Sequence, residues 1–206
     1  KGPESMTIGV PGNVPYIITV GAMTDSYTPA DAADDVLASF TSAGPTVEGF
    51  VKPEIVAPGG HIYAMMHFSA QIAQEHPEFF DRPSYFTMSG TSQATAVVSG
   101  VVAQLLQADP TLTPDDVKCR LMASARSANT ANGDHAYGIL QQGAGLVNAY
   151  DAVHSVESGC ANRGLDVDAD LAGTQHYAGP IRGDENGDFY LEGPTGTVYS
   201  GSFLWS

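Results

Sequence analysis

The chain holds 206 residues, 43% of them hydrophobic, which is enough to bury a core and fits one domain or one domain with an appendage. A formal net charge of −15 argues against nucleic acid and against anionic membrane surfaces as partners. No apolar run is long enough to cross a bilayer and no signal peptide opens the chain, although a start at Lys1 leaves room for a leader removed together with upstream residues.

In chain order, Lys1 to Asn13 is rich in glycine, proline and polar residues and reads as a loop, with Val10-Pro11-Gly12 as its turn. Tyr16-Ile17-Ile18-Thr19-Val20, bounded by Pro15 and Gly21, reads as a buried parallel strand. Asp25, Asp31, Asp34 and Asp35 follow among alanine, serine and proline. They suit a solvated loop, and although carboxylates can hold calcium, no ligand spacing here identifies a metal site, so none is assigned. Leu37 to Phe40 is a short strand candidate, Ser42-Ala43-Gly44-Pro45 a turn, and Ile55-Val56-Ala57 a further strand ended by Pro58-Gly59-Gly60. Within the segment from His61 to Met88, Gln71 to Phe80 has a helical pattern that Pro77 would cut or kink. His61, His67 and His76 lie in this segment and read as loop or surface residues.

The run Ser89-Gly90-Thr91-Ser92-Gln93-Ala94 opens a proline-free stretch from Thr91 to Ala108 whose apolar residues cover more than one face, as in a helix buried nearly all round. Two readings of Ser92 follow. Thr-Ser ahead of an apolar run is a common helix cap. A serine in the first turn is also a presented nucleophile, with unpaired N–H groups and the positive end of the helix dipole directed at a developing oxyanion. Downstream, Thr113-Pro114-Asp115-Asp116 is a good helix start, with Thr113 as N-cap. Cys119, Leu121 and Met122 fall inside that helix, and a turn at Asn132-Gly133-Asp134 leads to a glycine-rich turn and a last helix.

Four ordered blocks carry a resemblance to a known family: Tyr16 to Ala22, Leu37 to Pro45, Lys52-Pro53-Glu54-Ile55-Val56-Ala57-Pro58-Gly59-Gly60, and Ser89 to Ala94. In that order they closely resemble the C-terminal half of the catalytic domain of subtilisin-like serine peptidases, over about Lys1 to Val156. The resemblance implies an α/β, three-layer subtilisin-like fold with a parallel sheet, of which this is the C-terminal part. It implies catalysis by Ser92 and an oxyanion site supported by Thr91 and the N–H of Ser92. It also implies substrate contacts at Gly90 and at Gly9 and Val10, which would floor the pocket for the residue before the cut, with Val10-Pro11 in the cis form. The family's Asp, His and oxyanion Asn are not identifiable in this sequence. The expected partners are therefore an N-terminal portion of the same protease and protein or peptide substrates, and no cofactor is implied.

The segment 61–88 is longer than compact members of the family need, and Ala96 stands where they usually carry proline. Alanine there should keep the helix. In a secreted, extracellular enzyme Cys119 and Cys160 would form a disulfide, two unpaired thiols being the alternative. Composition shifts to aspartate, glycine and aromatic residues after 160, so the peptidase part is assigned 1–160 and a β-rich extension 161–206. Asp166 to Asp170 and Asp184 to Asp188 lack the glycine and terminal acid of an EF-hand and read as hairpin turns. Asp188 to Leu191 and Thr197 to Tyr199 would pair through Pro194-Thr195-Gly196. Two alternatives remain at the level of sequence: a non-catalytic module or inactive fragment that retains the serine motif, and a sedolisin-type peptidase, which shares Gly-Thr-Ser but uses Glu and Asp.

Overall fold

The structure is a computed structural model, and it describes residues 4–28, 34–82, 84–129, 132–193 and 195–205. Lys1, Asp31 and Pro194 lie outside the described residues. The central sheet has the order β2-β1-β3, from strands β1 (Val20–Thr24), β2 (Val36–Leu37) and β3 (Ile55–Pro58). β1 and β3 run parallel from Val20↔Ile55 to Met23↔Pro58, whereas β2 pairs antiparallel with the end of β1. Both parallel strands are almost wholly buried, as short apolar runs covered by helices should be.

Helix α2 (Thr91–Ala108) packs on β1 and β3 through Ala94, Val98, Val101 and Leu105; it is not buried nearly all round as its apolar run suggests, since Ala96, Ser99, Gly100 and Leu106 are exposed. Small residues on all three elements set the approach: Ala22 of β1, Ala57 of β3 and Ala94 of α2 are fully buried in the same core as Ile55 and Leu105. The helix is continuous through Ala96, as alanine at that position leads one to expect. Helix α3 (Pro114–Ser124) starts on a reciprocal cap, in which Thr113 Oγ1 accepts from Asp116 N–H and the Asp116 carboxylate accepts from Thr113 N–H. A short helix α4 (Ile139–Gln142) follows, and α5 (Ala149–His154) closes the layer against α2 and α3.

Segment 61–88 forms its own antiparallel sheet in the order β4-β6-β5, from β4 (Ile62–Met65), β5 (Phe80–Arg82) and β6 (Tyr85–Met88). Helix α1 (Gln71–Glu75) ends before Pro77, which opens a separate 3₁₀ turn, Pro77–Phe79. The proline break read from the sequence is therefore observed.

Two strand assignments are corrected. Tyr16 to Thr19 is not strand: β1 begins only at Val20. Apart from Thr19 O, which accepts from Glu54 N–H, polar groups of this segment are taken by side chains rather than by a ladder. Lys118 Nζ donates to the carbonyls of Pro15 and Ile17, Lys52 Nζ also donates to Ile17 O, and Thr19 N–H donates to Glu54 Oε2. Likewise β2 stops at Leu37, because Thr41 N–H turns back to Ala38 O.

After residue 160 the chain forms α6 (Val167–Leu171) and a sheet β7-β8-β9 from Ile181–Gly183, Phe189–Glu192 and Val198–Ser200. The hairpin of β8 and β9 is present, with Tyr190 opposite Ser200. Asp184 to Asp188 is the expected turn, closed by Gly187 N–H on Asp184 O. Asp166 to Asp170 is instead the start of a helix, since the Asp166 carboxylate caps Asp168 N–H and Ala169 N–H. Ile181 and Leu204 are buried with Leu140, and Leu140 N–H donates to Leu204 O, so this region shares a core with the body.

Candidate active site

The C-terminal end of β3 positions the start of α2. Gly59 N–H and Gly60 N–H both donate to Met23 O, and Gly90 N–H donates to Gly59 O at 2.8 Å. This approach requires glycine: a Cβ on Gly59 would lie 2.8 Å from both Ala22 Cβ and Gly90 O, and 3.1 Å from Ala94 Cβ. Ser89 adds a further tie, its Oγ accepting from His61 N–H at 2.9 Å.

On this support Thr91 and Ser92 are the first two residues of α2, and the N-cap is Gly90 with no side-chain cap. Gln93 N–H and Ala94 N–H donate to Gly90 O. The N–H of Ser92 has no partner among the described residues, nor does its hydroxyl, and the residue is exposed. Ser92 therefore does not cap the helix. A hydroxyl beside a free N–H at a helix N-terminus is suited to attack a carbonyl and to hold the oxygen that becomes negative.

A cavity of about 400 Å³ opens beside Ser92, between α2 and the β4-β6 pair. Ile62, Met65, Phe86, Met88 and Val97 line it, and besides Ser92 the polar side chain present is that of Gln93. Gln93 Nε2 donates to Met88 Sδ, which folds the amide back along the wall. Sequence reasoning did not find this cavity, because it depends on which face of β6 turns inward.

Among the described residues no Asp, Glu or His hydrogen-bonds Ser92. His61 stacks on Tyr27 at 3.8 Å, His67 pairs with Ser69 and His76 with Glu78, in agreement with their reading as loop residues. Gly9 and Val10 lie in the loop before β1, Val10 is 85% exposed, and the Val10-Pro11 bond is cis. Thr7 N–H and Thr19 Oγ1 anchor this loop on Ala43 O and Gly12 O, and no hydrogen bond joins it to the start of α2 among the described residues. Cys119 and Cys160 form a disulfide. Among the described residues no group of three or more His, Cys, Asp or Glu is arranged to hold a metal ion, and no helix is long and apolar enough to cross a membrane.

At the opposite end of the parallel strands lies a buried cluster that sequence reasoning missed. Glu54 Oε1 accepts from Lys52 Nζ at 2.5 Å and from Lys118 Nζ at 2.8 Å, and all three side chains are at most 6% exposed. Asn162 Oδ1 also accepts from Lys118, which brings the chain just after the disulfide into the cluster. Burial lowers Lys52 to about 8, against the pull of the neighbouring carboxylate. The signal was in the quoted Lys52-Pro53-Glu54 block, but Lys118 is distant in sequence and nothing local links it.

Residues 1–139 match the sequence model of the peptidase S8, subtilase family. The serine protease AprX of Bacillus subtilis is 42% identical over 153 residues, covering 74% of this chain and 33% of AprX. Among solved structures, fervidolysin from Fervidobacterium pennivorans, described as a keratinolytic enzyme related to subtilisin, superposes with a TM-score of 0.51 at 26% identity, over 71% of this chain and 20% of its own. The prenylagaramide maturation protease PagA gives a TM-score of 0.51 at 27% identity, over 74% of this chain and 47% of its own. The chain thus spans about a third of the length of AprX. With its parallel sheet and the glycine-supported serine helix, it has a partial α/β subtilisin-like fold and belongs to the subtilase family.

Proposed function

We propose that this chain is the C-terminal half of the catalytic domain of a secreted subtilisin-like serine endopeptidase, which cleaves protein chains through an acyl-enzyme on Ser92. The observation that carries the reading is the state of Ser92 at the first turn of α2: its hydroxyl caps nothing and its N–H is unpaired. Ser92 Oγ attacks the scissile carbonyl, and the carbonyl oxygen, as it gains charge, is held by Ser92 N–H, with Thr91 supporting that corner. Gly90 contacts the substrate, and Gly9 and Val10 floor the pocket for the residue before the cut.

A hydroxyl without a base is a poor nucleophile at neutral pH. An N-terminal portion of the same protease supplies the activating His and Asp and the Asn that shares the oxyanion. One observation favours this division: among the described residues no titratable side chain hydrogen-bonds Ser92. The disulfide supports an extracellular setting, where such bonds persist. The subtilase match supports this reading over a sedolisin-type peptidase. In the competing reading, a non-catalytic module, Ser92 serves as a helix cap, but it makes no capping bond.

The test is hydrolysis of a denatured protein by the chain joined to, or mixed with, its N-terminal portion. Turnover that Ser92→Ala abolishes is expected. Equal turnover by the Ser92→Ala protein would remove Ser92 from the chemistry.

A further inference from the structure

The extension carries a second cavity, of about 800 Å³, lined by the β7-β8 turn, β9 and the chain that follows it. Its walls combine aromatic rings with hydrogen-bond acceptors. Phe189, Tyr190 and Trp205 contribute rings, and Asp184, Asp188 and Ser200 contribute oxygens. Among the described residues no lysine, arginine or histidine lines it. The nearest basic side chain in sequence, Arg182, donates to the carbonyls of Gly179 and Ile181 instead.

The acceptors are not used up by the fold. Asp184 Oδ1 is engaged, taking Asn186 N–H and Asp188 N–H, which fixes the turn and holds its carboxyl below the ordinary aspartate value. The side chains of Asp188, Tyr190 and Ser200, by contrast, make no hydrogen bond among the described residues. A cavity with spare acceptors, two carboxylates and aromatic faces matches a planar cation rich in donors. A guanidinium stacks on an aromatic face and fits carboxylates with its fork of N–H groups, which an ammonium does less well. The net charge of −15 would draw such a ligand from solution.

We propose that this cavity is a docking site for an arginine-bearing segment of a polypeptide, with the guanidinium on Trp205 and hydrogen-bonded to Asp188. The site is separate from Ser92 and does not depend on its chemistry.

Trp205 is the only tryptophan in the sequence, so its emission reports the cavity directly. The probe is the capped peptide acetyl-Arg-Gly-Arg-amide, titrated into the full chain at low and high salt. A saturable change in emission is expected, weakened by salt. Asp188→Asn should weaken binding about tenfold, the loss of one charge-assisted hydrogen bond. Asp188 is exposed on a turn held by its backbone and by Asp184, so this variant keeps the fold. The proposal is overturned if emission does not change, if acetyl-Glu-Gly-Glu-amide or maltotriose produces the same response, or if Asp188→Asn binds as tightly as the parent.

Discussion

Replacing Glu54 by Gln tests the buried cluster that ties the sheet to α3. The amide keeps the shape and can still accept from Thr19 N–H, but two ammonium groups, on Lys52 and Lys118, lose the carboxylate that faces them at 2.5 and 2.8 Å. Removing one partner of a buried ion pair costs about 3–5 kcal/mol, because the remaining charge stays out of water. Here two charges remain, Lys118 tied to the carbonyls of Pro15 and Ile17 and Lys52 to that of Ile17, so the upper half of that range is expected. With a urea slope of about 2 kcal/mol/M, the unfolding midpoint should fall by ~2 M. The assay is equilibrium urea unfolding followed by circular dichroism, with the disulfide kept intact in both proteins. A midpoint within about 0.3 M of the parent would refute the reasoning, since it would mean that the cluster is hydrated or that its charges are already neutral.

The same cluster sets a pH dependence. Lys52 titrates near 8 in the fold and near 10.5 in the unfolded chain, so between these values the unfolded chain binds more protons. Its contribution therefore makes stability rise with pH through that window, by at most ~1.4 kcal/mol per pH unit, and urea midpoints measured from pH 7.5 to 10.5 check the sign. Gly59→Ala places a Cβ 2.8 Å from Ala22 Cβ and Gly90 O; overpacking of ~1–3 kcal/mol is expected, together with reduced turnover of the assembled protease as α2 shifts. Thr113→Ala removes one half of the reciprocal cap of α3 and should cost ~1 kcal/mol by urea unfolding. Cys119→Ser with Cys160→Ser opens a loop of sequence separation 41, for which the chain-entropy estimate is a loss of about 4 kcal/mol, measured by the same assay under oxidising conditions.

The elements that positioned the site were legible where chemistry is local. α2 was readable from end to end because an apolar, proline-free run follows Gly90, and the cap at Thr113 was readable from Thr-Pro-Asp-Asp. β3 was legible because a short β-branched run meets Pro-Gly-Gly. Tyr16 to Thr19 misled because its apolar, β-branched residues do not reveal that ammonium groups from Lys52 and Lys118 take its carbonyls. In segment 61–88 the strand pattern was masked by apolar residues on both faces: Phe86 is buried, while Tyr63, Met65 and Tyr85 are exposed. Asp166 to Asp170 has no apolar periodicity, so the helix it starts is visible only through its cap. At Ser92, local sequence left cap and nucleophile undecided. In the structure Ser92 makes no capping bond, and the start of the helix rests on contacts at Gly59, about thirty positions away in sequence.

The most direct test of the account is fluorophosphonate labelling of the natively assembled protein, read by intact mass and by mass spectrometry of the peptide that contains Ser92. The account predicts a single adduct on Ser92 when the N-terminal portion is present, and none in the Ser92→Ala protein. An unlabelled Ser92 in that assembled protein would contradict it and leave the serine motif without a catalytic role.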